Sequence, residues 1–384
     1  MKSVIQLISN LPESGISIFS KMSALAAKHE AINLSQGFPD FQVDSELIRL
    51  VNHSMEKGKN QYAPSTGLFN LKDQIKRITN LQYSRIVEPE VEITITSGAT
   101  EALFCAIKAV VHEGDEVLIF EPSYDSYVPA VLMSGGKPVF YELKPPDYRI
   151  NWDEINRLIN NRTKAIIINT PHNPTGTILN SNDLDKLNQI TENRNIFIIS
   201  DEVYENITFD GLKHESINYY PSLYNRSLII SSLGKTFHTT GWKVGYCIAP
   251  DYLTEEFRKI HQYITFSTST PFQDGFAEYI STFSHFQSVS ELYEEKRNKF
   301  LALMKKSRFT PLKTSGTYFQ LLDFSSISNE PDIDFADRIT IEFGVASIPL
   351  SAFYHEKKDF KILRFCFAKK DQTLLEAAER LCRI

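Results

Sequence analysis

The chain has 384 residues, 42% of them hydrophobic and 23% charged, with a formal net charge of -6. That length exceeds one ordinary hydrophobic core and predicts two domains, or one large domain with a smaller one. The acidic balance argues against a nucleic-acid partner, and no apolar run approaches the roughly 18 residues of a membrane helix.

Met1 to Asn10 lacks the charged, apolar and small-residue layout of a secretion signal. A moderately amphipathic helix is predicted over 14–30, with Ile18, Met22, Leu25 and Ala26 at helical spacing. Gly37 and Pro39 then break regularity in the stretch Ile32 to Phe41. Two helical segments between Leu47 and Asn80 flank a loop, Asn60 to Gly67. From Glu92 onward strands alternate with helices, with strand candidates at 92–96, 116–120, 137–143, 164–169, 196–200, 227–231 and 244–249. Apolar runs separated by helices predict an α/β fold with a mostly parallel seven-stranded sheet covered on both faces. The last of these runs follows its predecessor too closely for a helical crossover, so one antiparallel member is expected. Helices are predicted near 252–264, 271–284 and 288–305. An α+β pattern follows: a strand over Thr317 to Phe324, a helix near 333–343, strands Val345 to Ile348 and Lys361 to Ala368, and a closing helix from Asp371. This predicts a large domain over 45–285 and a smaller α+β domain from 286–384, with residues 1–44 packed on it.

Cys105, Cys247, Cys366 and Cys382 form no C-x-x-C pair, which predicts reduced, mostly buried thiols and a cytoplasmic setting. The nine histidines include no H-E-x-x-H, and no metal site is predicted.

One stretch stands out, Ser231-Ser232-Leu233-Gly234-Lys235-Thr236-Phe237, leading to Gly241-Trp242-Lys243-Val244-Gly245. Its lysine is placed in a polar loop between two strands. An ammonium fixed in a pocket loses solvation, so part of it stands as the free amine that attacks carbonyls. Read alone, Lys235 is a surface lysine. As an S-x-x-K acyl enzyme, the chain lacks the S-D-N and K-T-G companions. Several other stretches have ordinary readings when taken alone. Thr96-Ser97-Gly98-Ala99-Thr100-Glu101 is a strand-to-helix turn, and Pro122-Ser123-Tyr124-Asp125-Ser126-Tyr127 is core. Asn169-Thr170-Pro171-His172-Asn173-Pro174-Thr175-Gly176 is a Pro/Gly turn. Asp201, after an apolar strand, is a helix N-cap. Arg364, in an apolar strand, is one half of a buried salt bridge.

Together, in this order, the stretches resemble the class I and II, fold type I, pyridoxal-phosphate aminotransferases from about Leu25 to Leu381. Asn169 to Gly176 departs from that pattern at Thr170, where many members carry proline. The subgroup resembled most closely is that of bacterial methionine and kynurenine aminotransferases, through Asn33 to Phe41, Gln61 to Pro64, Pro122 to Tyr127 and Cys366 to Lys370. The resemblance implies pyridoxal 5'-phosphate as cofactor. Lys235 would be the imine-forming base and Asp201 the partner of the ring nitrogen. Tyr204 and Asn173 would meet the ring oxygen, and Tyr124 would stack on the ring. Gly98, Ala99, Thr100, Ser232 and Lys243 would hold the phosphate, with Tyr62 reaching in from a second subunit, which implies a homodimer with shared active sites. Arg364, Gly37 and Asn173 would bind the substrate carboxylate. Phe19 and Phe38 would border the substrate. Phe19 stands where the kynurenine enzymes have tryptophan, and a smaller ring suits a thioether or a single aromatic ring.

The implied activity is ping-pong transfer of nitrogen from an amino acid, methionine preferred and aromatic donors such as phenylalanine accepted, to a 2-oxo acid. A kynurenine- or glutamine-type aminotransferase, or a carbon-sulfur β-lyase of cysteine conjugates, would use the same residues. A transcription factor carrying such a domain needs a basic helix-turn-helix, for which the chain has neither charge nor room.

Overall fold

Successive residues of the central strands point to opposite sides, and both sides are apolar. Leu118, Phe120, Ile166, Ile168 and Ile198 join one hydrophobic cluster, while their chain neighbours Val117, Ile119, Ala165, Ile167 and Ile199 join another. Such a sheet has to be covered on both faces. A computed structural model of the chain, describing residues 8–12, 15–282 and 286–384, shows this arrangement. Its strands in chain order are β1 (Ile93–Thr96), β2 (Glu116–Glu121), β3 (Lys137–Glu142), β4 (Thr163–Asn169), β5 (Phe197–Asp201), β6 (Ser227–Ser232) and β7 (Gly245–Ile248). They lie in the order β1-β7-β6-β5-β4-β2-β3. All neighbours are parallel except that β7 runs against both β1 and β6. Only a turn of α-helix, Leu233–Thr236, and a 3-10 turn, Thr240–Trp242, separate β6 from β7. That connection is too short to return the chain to the starting edge, as the sequence predicts.

A second, antiparallel sheet contains β8 (Thr310–Pro311), β9 (Phe319–Asp323), β10 (Ile348–Pro349) and β11 (Ile362–Cys366), in the order β10-β11-β9-β8. The predicted strand Val345 to Ile348 is in fact split. Val345–Ala346 pairs in parallel with Ile32–Asn33, and Ile348–Pro349 turns into the second sheet. The first pairing draws residues 34–38 across the end of that sheet, where Cys366 N donates to Leu34 O at 2.8 Å. The first helix is Ile18–Lys28, capped by the Ser17 hydroxyl.

Three sequence expectations lie partly outside the described residues: Met1 to Asn10, position 14 at the head of the first helix, and the tail of the 271–284 helix, described as Thr270–Thr282. The 285 boundary also lies outside them. Cys105, Cys247 and Cys366 are buried and Cys382 is half-buried. Among the described residues, no helix is long and apolar enough to cross a membrane.

Candidate active site

Parallel strands deliver their C-terminal ends to one edge, and there Asn169, Asp201 and Ser232 close β4, β5 and β6 side by side. Because β7 runs the other way, it begins at that edge, with Gly245 opposite both Ser232 and Thr96. The helix Gly98–Val110 starts at the same place without a side-chain cap. Its first amides are therefore open to an anion. Two glycines keep this ground clear. A Cβ on Gly98, which has φ +76°, would lie 3.1 Å from Lys243 Nζ. A Cβ on Gly245 would lie 2.8 Å from Gly98 C and 2.9 Å from Ala99 N. The ammonium of Lys243 thus stands over the uncapped helix start.

Asp201 is buried below this cradle. Tyr127 Oη donates to its Oδ2 at 2.6 Å, and the Val203 amide to its Oδ1 at 3.3 Å. Burial lifts its carboxyl to about 6, the two donors opposing the rise. Behind it Glu205 accepts from Tyr83 at 2.5 Å, from Tyr246 at 2.9 Å and from Ser231, which anchors the turn carrying Tyr204.

Lys235 does not sit in the predicted loop. It lies within the single helical turn Leu233–Thr236, closed by the Phe237 amide on Leu233 O at 2.9 Å, and is half-buried. Burial above all, then the neighbouring Lys243 and Arg364 charges, lowers its ammonium to about 8. It donates to Tyr318 Oη at 2.8 Å, and that hydroxyl donates to Gly37 O at 2.6 Å.

Arg364 is fully buried on β11. Its Nη1 donates to Asn173 Oδ1 at 2.7 Å and its Nη2 to Ser35 O at 2.9 Å. Its guanidinium carbon lies 3.8 Å from the centre of the Phe319 ring, with Phe353 at 5.0 Å and Phe19 at 5.2 Å. Asp125 acts on it only through space, without an ion pair among the described residues, and its Nε has no partner there. Burial lowers its pKa to about 10. A buried cation with an open donor is arranged to receive an anion. Arginine has only donors to offer, so the Asn173 oxygen must face it, leaving the Asn173 N–H groups free to donate elsewhere.

These groups line one cavity of about 310 Å³. It brings together Phe19, Gly37, Phe38, Gly98, Ala99, Thr100, Tyr124, Asn173, Asp201, Tyr204, Ser232, Lys235, Lys243 and Arg364 from the sequence prediction. Tyr62 is not among them. It is 82% exposed, with its ring edge-on to Phe266 at 5.3 Å. A larger groove of about 550 Å³ adjoins at Asn169, but none of the predicted residues line it. Sequence reasoning missed Tyr318, Phe319, Tyr127 and Gly245. Tyr127 and Gly245 lay inside stretches already singled out, without a role. Tyr318 and Phe319 follow Gly316 at the head of a predicted strand, a weak signal at best.

Glu101, Cys105 and His261 are grouped as metal ligands could be. However, His261 Nδ1 and Cys105 Sγ lie 2.8 and 2.9 Å from the same Glu101 oxygen. Ligands around a zinc ion keep roughly 3.4 Å apart, so this is a hydrogen-bonded triad. Through His261 Nε2, 2.8 Å from Ser65 O, it ties the Gly98 helix to the loop after Tyr62.

A family profile described as aminotransferase class I and II matches residues 29–381. The chain is 46% identical over 374 residues to the methionine aminotransferase of Escherichia coli, covering 97% of each chain. It is 34% identical over 410 residues to the kynurenine-oxoglutarate transaminase of Dictyostelium discoideum, covering 96% of this chain and 94% of that one. A solved Escherichia coli structure, identified with a methionine aminotransferase function, superposes with a TM-score of 0.97 at 45% identity, covering 99% of this chain and 100% of that one.

Proposed function

The chain belongs to the class I and II aminotransferases, and from that premise we propose that it moves the amino group of an L-amino acid, methionine preferred and aromatic donors accepted, to a 2-oxo acid with pyridoxal 5'-phosphate as cofactor. The observation that carries this is the shared cavity. A half-buried amine, a buried carboxylate and a buried guanidinium with an open donor meet there, beside an uncapped helix start.

The donor set fits the cofactor. The Gly98, Ala99 and Thr100 amides, Ser232 and Lys243 would hold its phosphate. Asp201 would face its ring nitrogen, Asn173 and Tyr204 its ring oxygen, and Tyr124 its ring face. The chemistry the cofactor supplies when bound is an electron sink that makes the α-proton of an amino acid removable. Arg364, with Gly37 and Asn173, would fix the substrate carboxylate and thereby the direction of the Cα–H bond. Lys235 Nζ, its pKa lowered to about 8 by loss of solvent, would take that proton and return it to the carbon on the other side of the nitrogen. Phe19 and Phe38 would shut water out from the substrate side. Two half-reactions follow in ping-pong order, the second on a different oxo acid. The cofactor unit would span 45–285, with 1–44 and 286–384 forming the smaller unit. The exposed Tyr62 and Phe266 pair would complete the site of a second copy in a homodimer.

The purified protein given pyridoxal 5'-phosphate is expected to turn yellow, and borohydride to fix the label on Lys235. In a panel of donors against several 2-oxo acids, methionine is expected to exceed kynurenine in kcat/KM by roughly tenfold, because Phe19 packs better on a thioether than on a wide ring. No label on Lys235, or pyruvate released from cystathionine with no oxo acid formed from methionine, would sink the proposal.

The clearance at the cradle allows a second test. Gly245→Ala places its methyl against Gly98 C and Ala99 N. The helix start must then shift, and cofactor affinity is expected to fall roughly tenfold or more, since phosphate binding needs aligned amides. Titration of the cofactor-free variant by absorbance reads this directly. Unchanged affinity would show that the helix start does not hold the phosphate.

A further inference from the structure

Tyr318 lies between the amine of Lys235 and the segment carrying Gly37. It is fully buried, its ring packed edge-on against Tyr204 at 5.2 Å and tilted on Tyr293 at 5.6 Å. Its hydroxyl has one proton and three polar neighbours, the Gly37 carbonyl, the Lys235 amine and the Tyr204 hydroxyl. The Gly37 carbonyl, at 2.6 Å, can only accept, so the proton goes there. Were it turned to Lys235, the half-buried Gly37 carbonyl would lose this donor. Lys235, at 2.8 Å, therefore meets only the phenol's lone pairs and must donate to it.

The direction of this bond matters for a base. A neutral amine has two N–H groups and one lone pair. Giving one N–H to Tyr318 leaves the lone pair uncommitted. We propose that Tyr318 is a positioning residue for proton transfer: the Gly37 carbonyl fixes its hydroxyl as an acceptor, and the hydroxyl in turn orients the Lys235 amine with its lone pair free for the substrate's α-proton. The role rests on the transamination proposed above.

The same phenol links the amine to the carboxylate clamp. Tyr318 immediately precedes β9, whose Leu321 pairs with Arg364 on β11. The Gly37 segment is held to the end of β11 by the Leu34 carbonyl on the Cys366 amide. Gly37 itself lies against the rings: a Cβ there would be 2.6 Å from Phe319 and 3.0 Å from Tyr318. A carboxylate seated on Arg364 beside Gly37 thus fixes the carbonyl that fixes the phenol.

The test is Tyr318→Phe, which removes one oxygen and keeps the ring, against Tyr293→Phe as control. Tyr293 also loses a buried hydroxyl, one paired at 2.8 Å with His238 Nδ1 and not with Lys235. For Tyr318→Phe, kcat with methionine is expected to fall roughly ten- to hundredfold, the scale of a misplaced reacting group. KM is expected to stay within about twofold, because the carboxylate clamp is intact. The second readout needs no turnover. Acetic anhydride labelling of the cofactor-free protein at a series of pH values, followed by mass spectrometry, gives the midpoint at which Lys235 becomes reactive. The wild-type midpoint is expected near 8. Loss of an acceptor removes support for the ammonium, so in Tyr318→Phe the midpoint is expected to move down by roughly half a unit to one unit. The other titratable groups facing the amine, Lys243, Asp201, Arg364, Cys366 and Tyr204, remain in place. Both readouts should be unmoved in Tyr293→Phe. If either kcat or the midpoint stays at the wild-type value in Tyr318→Phe, the positioning role is overturned. Should Tyr318→Phe not fold, 3-fluorotyrosine at 318, a weaker acceptor of nearly the same shape, must move the midpoint in the same direction or the role is likewise overturned. A protein that labels as expected but transfers no nitrogen would overturn the proposed reaction and leave the bond direction standing.

Discussion

Asp201→Asn is expected to lower kcat about a thousandfold, the scale on which a buried electrostatic partner of the reacting system acts, while making the cofactor-free protein more stable at neutral pH. The two effects have one cause. In the folded chain the Asp201 carboxyl is lifted by burial from 3.8 to about 6, and the Tyr127 and Val203 donors recover only part of its lost hydration. A group held above its unfolded value contributes its stability in full below the unfolded value and loses it as the pH rises through the folded one. For Asp201 that window runs from about 4 to about 6, and above it the empty site carries a penalty of about 3 kcal/mol. Asparagine keeps the shape without the charge. Thermal melts of the cofactor-free proteins should therefore show the variant a few degrees more stable at pH 8, with the difference closing by about pH 4. A cation brought to Asp201 by the cofactor's ring nitrogen would offset that penalty, so saturating cofactor should shrink or reverse the gap. A variant with wild-type kcat, or equal melting at pH 8, would remove Asp201 from the proposed role.

Arg364→Lys is expected to lower kcat/KM about a thousandfold, chiefly through KM, although the charge is retained. The guanidinium is held over Phe319, its carbon 3.8 Å from the ring centre, by two tethers, Asn173 Oδ1 and Ser35 O, and its Nε is left unpartnered. A planar group held at two corners can present parallel donors to a carboxylate. An ammonium cannot do this, and it would leave at least one of the two tethers unmet at a fully buried position. The lost charge-assisted bonds and the unpaired acceptor together are worth about 4 kcal/mol, the thousandfold expected. Steady-state kinetics with methionine would measure it, together with binding of an unreactive carboxylate analogue. A KM within a few-fold of wild type would show that the carboxylate is bound elsewhere.

Much of this site was legible in the sequence because it lies where strands end. Asp201, Asn169 and Ser232 each close an apolar run, and the first turn after Thr96 opens a helix, so local pattern alone places them at one edge. Unbroken apolar runs such as Ala165 to Ile168 likewise point to a sheet buried on both faces. The misreadings share a physical reason. Lys235 reads as a loop residue because Leu233–Thr236 is a single helical turn, too short to show periodicity. Val345 to Ile348 reads as one strand, but its halves pair with partners from opposite ends of the chain. Tyr318 belongs to no local pattern that announces a function. Its role comes from Gly37 and Lys235, each distant from it in sequence.

What the sequence determined by itself was the alternation of elements, the single antiparallel strand and the kinds of groups offered to the site, because backbone periodicity, turn residues and connection length act between near neighbours. Only the folded chain decided which donors were already engaged and which were left open. It turned the Asn173 oxygen onto Arg364, stripped the water from Asp201 and part of it from Lys235, and set the proton of Tyr318 on Gly37. Desolvation and hydrogen-bond direction depend on every atom that closes over a side chain, and those atoms come from segments hundreds of residues apart.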